Sequence, residues 1–171
     1  WWRQATGEAI AGPLSGNQLP EVPAIQSSLG TWLKLYPGSL IMQPDSNFSE
    51  IYDSLSDFES GQRSGRLTRR DTASWLDKSW IAGIDLGEVS KAYDWNELVS
   101  KGVINDTPGS IPISVIVTAD QKSLFAFRRH SIEQQLTFRN DTLTDGAVDY
   151  TLAGTAMDST SKSLYLLPVY Q

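Results

Sequence analysis

One histidine and no cysteine bound the chemistry open to this chain. His130 could take or give a proton near neutral pH, but acid–base work needs a partner, and none stands at a useful spacing. A lone histidine without cysteine does not build a zinc site. It follows Arg128-Arg129 at the end of an apolar run, so it reads as an exposed loop histidine. The missing cysteines remove disulfides, thiol nucleophiles and thiolate metal sites from this stretch. Asp141, Asp145 and Asp149 recur every fourth residue. A calcium loop wants oxygen ligands at alternate positions, and Leu143 stands where one is needed. Asp145-Gly146 is a hairpin turn signal instead. Gly7, Gly12 and Gly16 lack the spacing of a dinucleotide fingerprint, and Pro13 interrupts them. No G-x-S-x-G occurs, and a single histidine limits any triad. Arg63, Arg66, Arg69 and Arg70 form a basic stretch; it reads as a solvated loop, with a docking patch for an acidic partner as the functional alternative. No cofactor and no metal is expected.

Aromatic residues and asparagines carry the remaining signals. The chain has six tryptophans. Trp32, Trp80 and Trp95 sit in periodic segments and read as core. Trp1 and Trp2 are adjacent, so a strand would send them to opposite faces, one of them towards a partner. Three of the five asparagines, Asn47, Asn105 and Asn140, head N-x-[ST] sequons, which belong on surface loops if the chain is glycosylated.

The elements that must position these residues are mostly strands. The spacing predicts a helix over 27–36, with Leu29, Trp32, Leu33 and Tyr36 on one face, a cap at Ser27 or Ser28, and a stop at Pro37-Gly38. Leu40-Ile41-Met42 reads as a short strand. Residues 44–70 read as a long loop. Two apolar runs around Asp85–Glu88 make a hairpin. Asp94 and Glu97 form a D-x-x-E capping box for a second helix, with Gly102 at its end. Beyond it the chain is β: Ile111, Ile113, Val115 and Val117 alternate as in a half-buried strand, followed by runs at 124–127, 136–138, 148–152 and 164–170. The class is α+β, mainly antiparallel β with two or three short helices.

The chain has 171 residues, 40% of them hydrophobic, enough for one β-rich domain with its own core. A net charge of −6 repels phosphate backbones, so nucleic acid is not the expected partner. No stretch approaches the ~20 apolar residues of a membrane span. Nor is a signal peptide visible at Trp1-Trp2-Arg3-Gln4, and both ends read as cut from something longer. An internal echo points the same way. Gly7-Glu-Ala-Ile10 precedes Leu19-Pro-Glu-Val-Pro-Ala-Ile-Gln26, as Gly154-Thr-Ala-Met157 precedes Leu164-Tyr-Leu-Leu-Pro-Val-Tyr-Gln171. A repeat unit of that form implies the tail of one copy and most of a second.

Trp2–Gly16, Leu19, Pro23, Thr31-Trp32 and Tyr36-Pro37 resemble the family known as Domain of Unknown Function 3179. Ile81–Ile84, Lys91–Tyr93, Ile104–Asp106, Ile111–Ile113, Phe127–Arg129 and Leu136–Phe138 fit it too. The resemblance implies a longer, mostly bacterial, exported protein and hence an extracytoplasmic location. Many members carry a cysteine or selenocysteine pair before an apolar strand ending in arginine. The stretch here, Thr118–Ser123 before Phe127-Arg128, has none. Two functions stay open, with a small-ligand binder using the Trp/Tyr surface as a third. One is a non-catalytic extracytoplasmic module that binds a protein partner or further segments of its own chain, with Trp1 and Trp2 at the contact. The other is part of a thiol- or selenol-dependent redox enzyme whose reactive residues lie in a preceding segment, with Asp106, Arg128 and His130 as supporting groups.

Overall fold

A computed structural model describes residues 1–4, 6–20, 22, 25–51 and 71–170. The basic stretch Arg63–Arg70 and most of the expected 44–70 loop lie outside the described residues. The part that is described holds a 3-10 helix, Ser46–Ile51.

The centre is a four-stranded antiparallel sheet of order β11-β7-β6-β5: β5 (Val103–Asp106), β6 (Ile113–Val117), β7 (Leu124–Arg128) and β11 (Tyr165–Leu167). Side chains alternate across a strand, so one sheet can serve two cores. Ile113, Val115 and Val117 of β6 join Leu124 and Ala126 of β7 in a first cluster, under the hairpin β3 (Ile81–Asp85)–β4 (Ser90–Asp94) and helix α2 (Trp95–Lys101). Ile116, Phe125 and Phe127 point the other way, into a second cluster under the meander β8 (Thr137–Arg139), β9 (Thr142–Thr144) and β10 (Asp149–Tyr150). The alternation in β6 had suggested a half-buried strand, yet all five of its residues are buried. Ser114, the polar member of the second face, gives its hydroxyl to Asn105 Oδ1 at 2.6 Å. Asn105 in turn accepts from Leu136 N–H at 3.0 Å and donates to Leu136 O at 2.8 Å, fastening the sheet to the meander. That sequon asparagine is therefore bound within the fold, while Asn47 and Asn140 are exposed.

Local signals hold well in this part. Asp94 caps α2 by accepting from Glu97 N–H at 2.8 Å, and Gly102 N–H closes the helix on Leu98 O at 2.7 Å. Trp95 is buried, and Trp80 packs edge-on against it at 5.6 Å.

The N-terminal part is built differently. Strands β1 (Trp2–Arg3) and β2 (Glu8–Ala9) form a two-residue ladder. Helix α1 (Leu29–Leu35) starts at the Ser28 cap as expected. Most of its apolar stripe, however, faces out, with Leu33 half-buried. Leu29 and Tyr36 are exposed and Trp32 retains 37% of its surface, whereas Thr31 is the buried residue of the helix. Trp32 is thus not core. Leu40-Ile41-Met42 forms no strand, and Leu40 is fully exposed at 100%. Among the described residues no strand pairs with it to supply a ladder.

The echo has a structural counterpart. Gly7 (φ +67°) and Gly154 (φ +79°) both sit in the left-handed region. Each accepts at its carbonyl from the matching leucine: Leu19 N–H to Gly7 O at 2.9 Å, Leu164 N–H to Gly154 O at 2.8 Å.

Candidate functional site

Three of the residues singled out in the sequence, Asp106, Arg128 and His130, lie at one end of the central sheet. In register, Asp106 lies opposite Ile113, Ile113 opposite Arg128, and Arg128 opposite Tyr165. Directly opposed residues share a face, so Asp106 and Arg128 stand in one row on the side of the β3–β4 hairpin, one strand apart.

From above this row β4 lowers Lys91 and Tyr93, which are two residues apart and on one strand face. Lys91 Nζ forms an ion pair with Asp106 Oδ2, and the Tyr93 hydroxyl donates to the same oxygen at 2.8 Å. Thr107 N–H donates to Asp106 Oδ1 at 2.8 Å. Burial pushes the Asp106 carboxyl up, but the bonds from Lys91, Thr107 N–H and Tyr93 outweigh it and hold it below the usual carboxylate range. Tyr93 is buried. That burial, followed by the bond to Asp106 and its charge, raises its hydroxyl well above the ordinary tyrosine value. Lys91 also edges a shallow recess of about 360 Å³ that ends at Tyr170.

Arg128 itself is exposed and its side chain makes no hydrogen bond or ion pair among the described residues. The structural arginine is its neighbour. Arg129 is 3% exposed. Its Nε donates to Ile113 O at 3.1 Å, Nη1 to Ile132 O at 2.9 Å and to Gln134 O, and Nη2 to Asp106 O at 2.8 Å. Four carbonyls from two strand ends and the following loop are thereby tied to one guanidinium. Desolvation lowers its pKa, and the charges of Asp106 and Glu133 work against that loss. Strand parity was the available signal: Phe125, Phe127 and Arg129 share a face, and Arg128 is on the opposite one.

His130 is exposed, as expected, and its Nε2 lies 3.1 Å from Lys162 O. It rims a groove of about 610 Å³ floored by Gln134, Asp145 and Tyr150. Gln134 Nε2 donates to Asp145 Oδ2 at 2.7 Å and to the Tyr150 hydroxyl at 3.2 Å. Burial raises Asp145, yet Gln134 and the Val148 and Ala147 N–H groups bring it below the usual range. The aspartates at 141, 145 and 149 do not converge: Asp141 pairs with Lys34 at 2.5 Å, and Asp145 shapes its own turn. Among the described residues, no group of three or more His, Cys, Asp or Glu is placed to hold a metal ion.

Trp1 and Trp2 lie far from this sheet end in sequence and are exposed, Trp1 at 87%. They share the N-terminal part with Ile10, Leu14, Leu19, Leu29, Trp32 and Tyr36, all exposed as well. No helix among the described residues is long and apolar enough to cross a membrane.

Small antiparallel sheets, short helices and a guanidinium staple at one sheet end define the class: a mainly-β α+β protein. Residues 1–170 match the family described as protein of unknown function DUF3179, and the chain belongs to that family. No curated protein and no solved structure matches it.

Proposed function

We propose that this chain is a non-catalytic binding module that works outside the cytoplasm and docks a protein partner through the apolar surface of its N-terminal part. The observation that carries the reading is the outward stripe of α1. A helix in a globular protein normally turns its apolar stripe to the core, and here Thr31 faces the body while Leu29, Trp32 and Tyr36 face out. The Trp32 and Tyr36 rings pack with centroids 4.5 Å apart, tilted 43° to one another, and the indole N–H is already bonded to Ser39 Oγ at 2.8 Å. The ring pair therefore offers its apolar surface with its polar edge satisfied, the kind of aromatic anchor that dominates protein interfaces. The sheet end supports the reading from the other direction. Lys91, Tyr93 and Asp106 bond one another, and Arg129 spends its donors on main-chain carbonyls.

The test is binding of a hydrophobic dye together with sedimentation of the purified chain. The wild-type chain should bind the dye and self-associate with rising concentration. Trp32→Ser combined with Tyr36→Ser should lose both, and Ile132→Ser, at an exposed site elsewhere, should lose neither. A wild-type chain that stays monomeric and leaves the dye dark would sink the reading.

A further inference from the structure

We infer that α1 is a hinged arm, latched in its outward-facing setting by the Asp120 carboxylate. Asp120 sits in the turn between β6 and β7 and collects bonds from both sides of the joint. From the arm, the Ser28 hydroxyl donates to Oδ2 at 2.6 Å and the Thr31 hydroxyl at 3.2 Å. From the body, the Thr118 hydroxyl and Lys122 N–H donate to Oδ1 at 2.5 and 2.9 Å, and the Ser123 hydroxyl to Oδ2 at 3.2 Å. Ser28 is also the helix cap, since its Oγ accepts from Thr31 N–H. The contact that starts the helix and the contact that docks it thus meet in one side chain.

Among the described residues, the base of the arm adds Ser28 N–H to Ser123 Oγ at 3.0 Å and Leu124 N–H to Gln26 O at 2.8 Å, and the helix beyond it has few further contacts. Leu35 and Ile25 reach the edge of the second core cluster, and Lys34 pairs with Asp141 between two exposed side chains. An ion pair this exposed adds little. On the far side, Pro37-Gly38 leads into the exposed run at 40–42. Segments with few buried apolar contacts open before the rest of a fold. The latch also fixes rotation: with Ser28 and Thr31 committed to Asp120, the stripe of Leu29, Trp32 and Tyr36 must point away. Hydrogen bonds outweigh burial and keep Asp120 below the usual carboxylate range, so it stays ionised at ordinary pH, and the latch yields to substitution rather than to mild acid. That the stripe docks a partner rests on the reading above; that the arm is latched does not.

Amide hydrogen exchange on the free chain tests it. Trp32 and Tyr36 amides, which bond to Ser28 O and Trp32 O, should exchange about tenfold faster in Asp120→Ala, the scale of a lost cap plus a charge-assisted bond. Amides of Val115 and Ala126 should hold at the wild-type rate. Asp120→Asn, which keeps the shape and one acceptor, should give a smaller acceleration, and it stands in should the alanine variant fail to fold. Ser28→Ala combined with Asp120→Ala should fall short of the product of the two single effects, because both remove one contact. Unchanged α1 exchange in Asp120→Ala and Asp120→Asn overturns the latch, as does uniform acceleration across the molecule. The dye and sedimentation results bear only on docking. A chain that docks nothing can still show the latch, and one that docks can lack it.

Discussion

Residues 1–51 and 71–170 solve the same problem in different ways. Among the described residues, every buried hydrophobic residue except Ala9 lies at or beyond Ala82, and most of the exposed large apolar residues lie between Trp1 and Phe48. The later region buries both faces of one sheet, so each strand residue pays twice for order: it packs and it pairs. The earlier region is held by backbone bonds, the Ser28 cap and a carboxylate hub, with its apolar groups left facing out. Apolar burial contributes about 25 cal/mol per Å² and hydrogen bonds a net ~1 kcal/mol each. Global stability therefore belongs to the later region, and the earlier one can vary its surface at small cost.

The largest expected effect tests that division at the sheet end. Arg129→Ala should destabilise the chain by about 4 kcal/mol, because a buried charge and several charge-assisted bonds disappear and carbonyls of Ile113 and Asp106 lose their donor. Arg129→Lys should recover little, since an ammonium cannot reach strand ends and loop from one plane. Arg128→Ala, one residue away, should change the denaturation midpoint hardly at all. Urea unfolding of the three variants is the measurement. Equal losses at 128 and 129 would erase the distinction between them.

The echoed glycines share a positive φ and a carbonyl that accepts from the matching leucine in both regions. A Cβ on Gly154 would lie 2.7 Å from the ring of Phe127, inside the second core. A Cβ on Gly7 would lie 3.2 Å from the Cβ of exposed Leu19, with Leu19 O and Gln18 Nε2 at ordinary contact distance. Both sites carry the strain of a positive φ. Gly154→Ala should therefore cost about 3 kcal/mol and Gly7→Ala about 1 kcal/mol, the difference being overpacking. Thermal unfolding of the two variants reads that difference directly, and equal costs would mean that the N-terminal turn is packed as firmly as its counterpart.

What was legible in the sequence is what is decided locally. The Asp94 cap, Gly102 and the turn after Asp85 each act within a few residues and appear where the spacing places them, while the Glu97 carboxylate of the D-x-x-E pair goes to Lys101 instead. Alternation found β6 but not its second buried face, because Ser114 breaks the apolar pattern and its hydroxyl is satisfied only by Asn105 across the strands. Period marks a stripe on α1 without saying what it faces. The answer depends on Asp120, 92 residues from Ser28. The arginines were legible in part: strand parity puts Arg129 on the face of Phe125 and Phe127, and the loop at Ile132 and Gln134 then encloses its guanidinium. Asp106 was found by resemblance, whereas Lys91 and Tyr93 as its partners needed the hairpin laid over the sheet.

The smallest effect concerns pH and separates local from global stability. Burial first, then the bond to Asp106 and its charge, raises the Tyr93 pKa in the fold. The native state thus keeps this proton when the unfolded chain, with tyrosine near ~10, gives it up. The contribution is complete below that unfolded value and drains away as pH climbs above it, at up to about 1.4 kcal/mol per pH unit for one group. Raising pH from 9 to 11 should lower the wild-type urea midpoint more than that of Tyr93→Phe, which has no such proton to hold. Because α1 opens without the rest of the fold, its Trp32 and Tyr36 amides, corrected for intrinsic exchange, should keep their protection over the same range while those of Val115 and Ala126 lose theirs. If all four amides fall together, the two regions open as one unit, and the contrast between a self-packed sheet and a polar-latched arm fails.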